Sequence, residues 1–150
     1  NLGVKKVSFL RLVIQGRALQ NRKRVEFTET MVTELESMLS ALEEECQGIE
    51  VRVGIPLSQN NIYSCNAGVS KLIIRYDGAV FPCEAFKYIT TINGNKNVKP
   101  DNIKLRSLKD IYNNSEFLNI LRTEIKDFKF HKPGCESCPA QWRLNKVLSQ

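Results

Sequence analysis

Hydrophobic and polar positions alternate along this chain with two different periods, and the change of period marks its elements. Residues 5–14, KKVSFLRLVI, carry Val7, Phe9, Leu10, Leu12, Val13 and Ile14 with Arg11 the only late break. An apolar run on nearly both faces predicts a parallel strand covered on two sides. Residues 28–45 switch to helical spacing. Met31, Leu35, Met38, Leu39 and Leu42 form one stripe, Thr28 stands at the cap, and Glu29 sits in the first turn. On this reading the two methionines are core filler. Gln47-Gly48 stops the helix, and residues 49–55, IEVRVGI, return to strand character. Strand, helix and strand at this length predict a βαβ unit. The connection at 15–27 reads as a loop carrying the basic run Arg22-Lys23-Arg24.

The second half is built of shorter pieces. Residues 57–64 form a polar linker. Residues 71–76 are a β-type run, Asp77-Gly78 is a turn signal, and residues 79–81 return. Asp-Gly predicts a type I′ hairpin, whose two central residues have positive φ. Pro82 lacks an N–H and ends the second strand just before Cys83. Residues 93–101, rich in Asn, Lys, Gly and Pro, predict an exposed loop. Ser107-Leu-Lys-Asp110 resembles a capping box and predicts a short helix through Tyr112. A further helix is expected over 115–125, with Phe117, Leu118, Leu121 and Ile125 inside. Pro133-Gly134 turns the chain into Cys135. The pattern as a whole predicts an α+β fold with a boundary near residue 57: a strand–helix–strand region over 1–57 and a hairpin region over 58–150.

Composition narrows the class. The 150 residues are 42% hydrophobic and 25% charged, the balance of an ordinary globular chain. No apolar run approaches the ~20 residues of a membrane-spanning helix. The formal net charge is +6, but the basic run lacks the interleaved aromatics of a nucleic-acid surface, so a solvated face is the expectation there. The sequence begins at Asn1 without Met or an evident leader, and its βαβ unit lacks the flanking strands that a parallel sheet needs. The expectation is a piece of a longer cytoplasmic protein, with an open sheet edge prone to dimerisation.

Cysteine changes the picture most. There are five, an odd number that does not suit a secreted disulfide framework. Cys65 and Cys83 bracket the hairpin, and Cys135-Glu-Ser-Cys138 forms a Cys-x-x-Cys knuckle. Thiolates are soft anionic donors suited to zinc and to iron–sulfur clusters. Structural zinc usually takes two such knuckles, and only one is present. Spacing alone leaves zinc and iron–sulfur both open. Cys46, at the end of the predicted helix, reads as a structural thiol. His131 reads as a turn residue and Trp142 as a packing anchor.

Cys65-x₁₂-Gly78-x₄-Cys83 followed by Cys135-x-x-Cys138 resembles the start of the SPASM/twitch auxiliary-cluster domain of radical S-adenosylmethionine enzymes. The hairpin sequence Lys71-Leu-Ile-Ile-Arg-Tyr-Asp-Gly-Ala-Val-Phe-Pro-Cys83 is similar to that family's own. So are Asn102-Ile103, Ser107-Leu-Lys-Asp-Ile-Tyr112, and Ser115, Phe117 and Arg122 beyond them. More loosely, residues 7–18 resemble the last strand of the partial (βα)₆ barrel of peptide-modifying members.

The resemblance implies a [4Fe–4S] auxiliary cluster on Cys65, Cys83, Cys135 and Cys138, with zinc the alternative. It implies a parent oxidoreductase of the maturase type, acting on a peptide or a small molecule. The Cys-x₃-Cys-x₂-Cys loop that would hold S-adenosylmethionine and a second [4Fe–4S] cluster is absent from these 150 residues, so no catalysis is expected of them alone. The family's further cysteines are also absent, since the next would fall at Leu144. Gln15 and Arg17, where a barrel strand would end, are the candidates for substrate contact, Arg17 through its planar fork. Lys71, Lys87 and Lys132 are candidate cations to offset an anionic cluster.

Overall fold

The computed structural model describes residues 3–10, 12–53, 65–92, 97–128 and 138–148. They form an α+β structure with two small sheets. The chain divides into two compact units, residues 1–63 with 130–142, and residues 64–129 with 143–150.

In the first unit, strand β1 (Lys6–Phe9) pairs in parallel with β2 (Glu50–Val53), with Lys6 opposite Glu50 and Phe9 opposite Val53. The helix between them, α3 (Glu29–Glu45), makes the predicted βαβ connection. Thr28 caps it, its Oγ1 accepting the N–H of Met31 at 3.2 Å. Gly48 takes φ +88° just past its end, a left-handed conformation open to glycine.

Three expectations fail in this unit. β1 has four residues rather than ten and alternates between exposed and half-buried positions, and Leu10 beyond it is 76% exposed. With two strands in the sheet, the described residues supply no layers to cover both faces. Met31 and Met38 are exposed; the helix buries Leu39, as expected, together with Val32, which the stripe did not include. The connection at 16–27 is not a plain loop, because α1 (Arg17–Gln20) and α2 (Arg22–Val25) each form one helical turn. Gly16, at φ 54° and ψ −126°, precedes α1.

In the second unit, β3 (Ile73–Ile74) and β4 (Val80–Phe81) form the antiparallel hairpin, and Pro82 follows β4 directly, as expected. Residues 97–101 are more than an exposed loop. Ile92 and Val98 exchange hydrogen bonds at 2.8 and 3.1 Å, and Val80 N–H donates to the Asp101 carbonyl at 2.9 Å, so this segment runs beside β4.

Helices α4 (Leu108–Asn114) and α5 (Glu116–Asp127) follow. α4 runs two residues past the expected Tyr112. Ser107 Oγ accepts the Asp110 N–H at 3.2 Å, which is one half of a capping box. The Asp110 carboxylate, shorter than glutamate, binds Arg106 at 2.7 Å and Asn114 at 2.8 Å. Ser115 caps α5. All four expected inner residues, Phe117, Leu118, Leu121 and Ile125, are buried. With Val80, Phe81, Phe86 and Ile111 they form the core, where Phe81 meets Phe117 edge to face at 5.9 Å.

A helix not anticipated from the sequence, α6 (Pro139–Leu148), starts just after Cys138. No described helix is long and apolar enough to cross a membrane.

Candidate metal centre

The hairpin that delivers Cys83 is set by its turn. Gly78 N–H donates to the Arg75 carbonyl and Arg75 N–H to that of Ala79, each at 2.8 Å. Tyr76 and Asp77 are therefore the central residues, and Gly78 follows them at φ +92°. No described residue other than glycine has positive φ. The turn is thus a type I turn with a glycine bulge, not the expected type I′, though Gly78 holds the left-handed position foreseen for it.

Side chains lock this turn. The Arg75 guanidinium grips the Asp77 carboxylate with two bonds, at 3.0 and 2.6 Å, and donates a third to the Lys87 carbonyl at 3.0 Å. It also lies 5.0 Å from the centre of the Phe81 ring. The hydrogen bonds from Arg75, and secondarily the Ala79 N–H, hold the Asp77 carboxyl down to about 2. From the far side Asn102 Nδ2 donates to the Asp77 carbonyl at 3.0 Å, and Ile103 N–H donates to that of Gly78 at 3.0 Å. A Cβ on Gly78 would stand 2.5 Å from Asn102 Oδ1. The glycine is required twice, by φ and by this approach.

Cys83 comes two residues after β4. It is half-buried, and its carbonyl accepts the Phe86 N–H at 3.1 Å, opening a 3₁₀ turn, Glu84–Phe86. Glu84 binds Lys71 at 2.8 Å, and this hydrogen bond is the main cause that lowers the Glu84 carboxyl.

Cys65, also half-buried, leads into a tight turn. Val69 and Ser70 both donate to the Asn66 carbonyl at 3.1 Å. The Gly68 N–H reaches the Lys71 carbonyl at 2.8 Å and the Pro82 carbonyl at 3.1 Å. The last bond ties the turn after Cys65 to the residue before Cys83. Arg122 holds the same turn from α5. Its Nε donates to the Gly68 carbonyl at 2.7 Å, and its Nη1 to the Tyr112 carbonyl and Asn119 Oδ1 at 2.7 and 2.9 Å. The guanidinium lies 4.6 Å from the centre of the Tyr112 ring. Arg122 Nη2 is buried with no hydrogen-bond partner among the described residues.

The remaining candidates fall elsewhere. Cys138 is buried in the first unit, at the start of α6, its carbonyl accepting the Trp142 N–H at 2.9 Å. Buried Gln141 accepts the Ile14 N–H at 2.6 Å through Oε1. Cys135, His131, Lys132 and Pro133-Gly134 lie outside the described residues, as does the 57–64 linker. Among the described residues no three cysteine, histidine or acidic side chains gather as a metal cage. Cys46 is the half-buried cap residue at the end of α3.

Gln15 is half-buried, and Arg17 is exposed at the start of α1. Arg22 is bound to Glu26 by two bonds at 2.7 and 2.8 Å, leaving Lys23 and Arg24 as the exposed cations of the basic run. Sequence reasoning assigned no task to Asn102, Arg75 or Arg122. The available signal was Arg-x-Asp-Gly in the turn, where an i, i+2 ion pair closes.

The model of a family described as an iron–sulfur cluster-binding domain, SPASM, matches residues 65–139, which is half of the chain. No curated protein and no solved structure matches it.

Proposed function

The chain belongs to the SPASM family of iron–sulfur cluster-binding domains, and we propose that it is the auxiliary-cluster region of a radical S-adenosylmethionine enzyme that modifies a peptide. The observation that carries this reading is the joined pair of segments. Gly68 bonds Pro82, so the turn after Cys65 and the hairpin end before Cys83 are one structure inside the matched region. Half-buried thiols, and a buried, unmet guanidinium N–H on the arginine that holds the turn after Cys65, suit an anionic, thiolate-ligated group.

Cys65, Cys83, Cys135 and Cys138 are its ligands in this proposal, and the group is a [4Fe–4S] cluster. When bound, the cluster supplies one-electron redox capacity and a cross-link within the chain. The chain's part is to aim and shield the thiolates. The Asp77–Gly78 turn aims Cys83, the Asn66–Ser70 turn aims Cys65, and buried Phe86 and Pro82 exclude water beside Cys83. Arg17, exposed at the start of α1, is proposed to hold a carboxylate of the parent's substrate. Among the described residues β1 and β2 each have one unpaired edge, which supports association of two copies through that sheet.

The test is anaerobic reconstitution with iron and sulfide, against zinc. A brown chain holding about four irons and four sulfides is expected. Single Cys→Ser changes at the four ligands should each lower iron content, while Cys46→Ser leaves it unchanged. A colourless chain that binds zinc alone would make this a zinc-stabilised Cys₄ module instead.

A further inference from the structure

The turn after Cys65 is held by a cation that is not fully used. Arg122 spends Nε on Gly68 and Nη1 on Tyr112 and Asn119. Its Nη2 is buried and has no partner among the described residues. A buried N–H donor without an acceptor keeps its full desolvation cost, and one belonging to a cation costs more. Such a donor signals an acceptor that the protein side chains do not supply.

The fork geometry narrows its place. Nε–H and one Nη2–H of a guanidinium point to the same side of a rigid plane. Because Nε–H is on the Gly68 carbonyl, that Nη2–H faces the same turn, three residues from Cys65. A Cβ at Gly68 would touch Arg122 Cγ at 3.3 Å and Pro82 Cβ at 3.4 Å. Arg122, the Cys65 turn and the residue before Cys83 thus pack in one place. Lys71, nearer to Cys83 in sequence, has its ammonium on Glu84.

We infer that Arg122 is a positioning residue for the cluster: it fixes the Cys65 and Cys83 segments and gives an N–H of Nη2 to the anionic sulfur centre they ligate. The inference rests on the iron–sulfur reading above. Hydrogen bonds and positive charge at cluster sulfurs raise the reduction potential. Arg122 therefore does two tasks, and only one of them is mechanical.

The test is redox titration and electron paramagnetic resonance of the reconstituted chain and three variants. Arg122→Gln should lower the midpoint potential and alter the resonance signature of the reduced cluster. Arg122→Lys, which keeps the charge and loses the fork, should fall between it and the wild type. Asn119→Ala removes a partner of Nη1 and should leave the potential unmoved. If Arg122→Gln does not hold iron, Arg122→Lys decides: a lowered potential supports the inference, and an unmoved one overturns it. Wild-type potential and signature in iron-replete Arg122→Gln and Arg122→Lys would also overturn it, as would an equal shift in Asn119→Ala. A wild-type chain that takes up zinc and no iron would overturn the cluster reading itself, a separate and visible result.

Discussion

The hairpin unit and the strand–helix–strand unit are held by different kinds of interaction. In the hairpin unit Val80, Phe81, Phe86, Ile111, Phe117, Leu118 and Leu121 are fully buried. Polar contacts there join residues far apart in sequence, 25 positions for Asn102 to Asp77, 43 for Tyr112 to Val69 and 54 for Arg122 to Gly68. Among the described residues of the other unit few apolar side chains are covered, chiefly Ile14, Val32, Leu39 and the small Ala140. Among the described residues its ion pairs are an exposed Lys6–Glu50 bridge and a local Arg22–Glu26 pair. Surface pairs of that kind contribute little. The difference teaches where order is imposed. The segments that carry Cys65 and Cys83 are fixed by packing and by several distant hydrogen bonds, whereas the βαβ unit has one capped helix, a short parallel pair and one long-range polar contact, from Ile14 to Gln141.

Removing core volume should separate the units most. Phe117→Ala is expected to cost about 3–5 kcal/mol, and Leu10→Ala, at a 76% exposed site, less than about 0.5 kcal/mol. Urea unfolding of both variants measures the contrast, and equal losses would break it.

Gly78→Val comes next. Left-handed backbone strain costs about 1–3 kcal/mol, and the approach to Asn102 adds overpacking of similar size. Repeating the change in an Asn102→Gly background should recover the overpacking part and keep the strain. A cycle with no coupling would show that Asn102 does not press on the turn.

The caps test the same contrast at smaller scale. Ser115 is fully buried and Thr28 is exposed. Ser115→Ala should cost about 1–2 kcal/mol and Thr28→Ala about 0.5–1 kcal/mol, read from melting curves.

The pH dependence is the smallest effect. The folded Asp77 carboxyl sits at about 2 against an ordinary 3.8. A depressed carboxyl favours the folded state above its unfolded value, and that contribution fades as pH falls from 3.8 towards 2. Wild-type protein should lose more melting temperature across this window than Asp77→Asn does. Parallel curves would mean that the Arg75–Asp77 pair adds nothing to stability.

Much of this was legible in the sequence, and the failures have physical causes. The α5 stripe was read correctly because Phe117, Leu118, Leu121 and Ile125 admit one helical face. The α3 stripe was read only in part, because Met31 and Met38 join Leu35, Leu39 and Leu42 at the same period as Val32 does, and of these Leu39 is buried while both methionines are exposed. The two faces share Leu35, Leu39 and Leu42, and periodicity cannot choose between them. Asp-Gly located the hairpin, but its turn type depends on Ile73 lying opposite Phe81 and on the distant Asn102. α6 was missed although Pro139 offered a signal, since proline suits the first helical position. The cysteines were visible as a set. The Gly68–Pro82 and Arg122 contacts that fix two of their segments arise only in three dimensions.

The Asn102 contact has a consequence for folding order. Arg75 and Asp77 are two positions apart, and such a turn can close within microseconds. Asn102 reaches it across 25 positions, so a larger loop must be closed before that bond forms. The turn is therefore expected early on the folding route and the clamp late. Weakening Asn102 should then show mainly as faster unfolding, with the refolding limb of the chevron little changed, while changes at Gly78 should slow refolding. The Asn102 clamp would set how long the hairpin stays closed, and the turn residues how quickly it first closes.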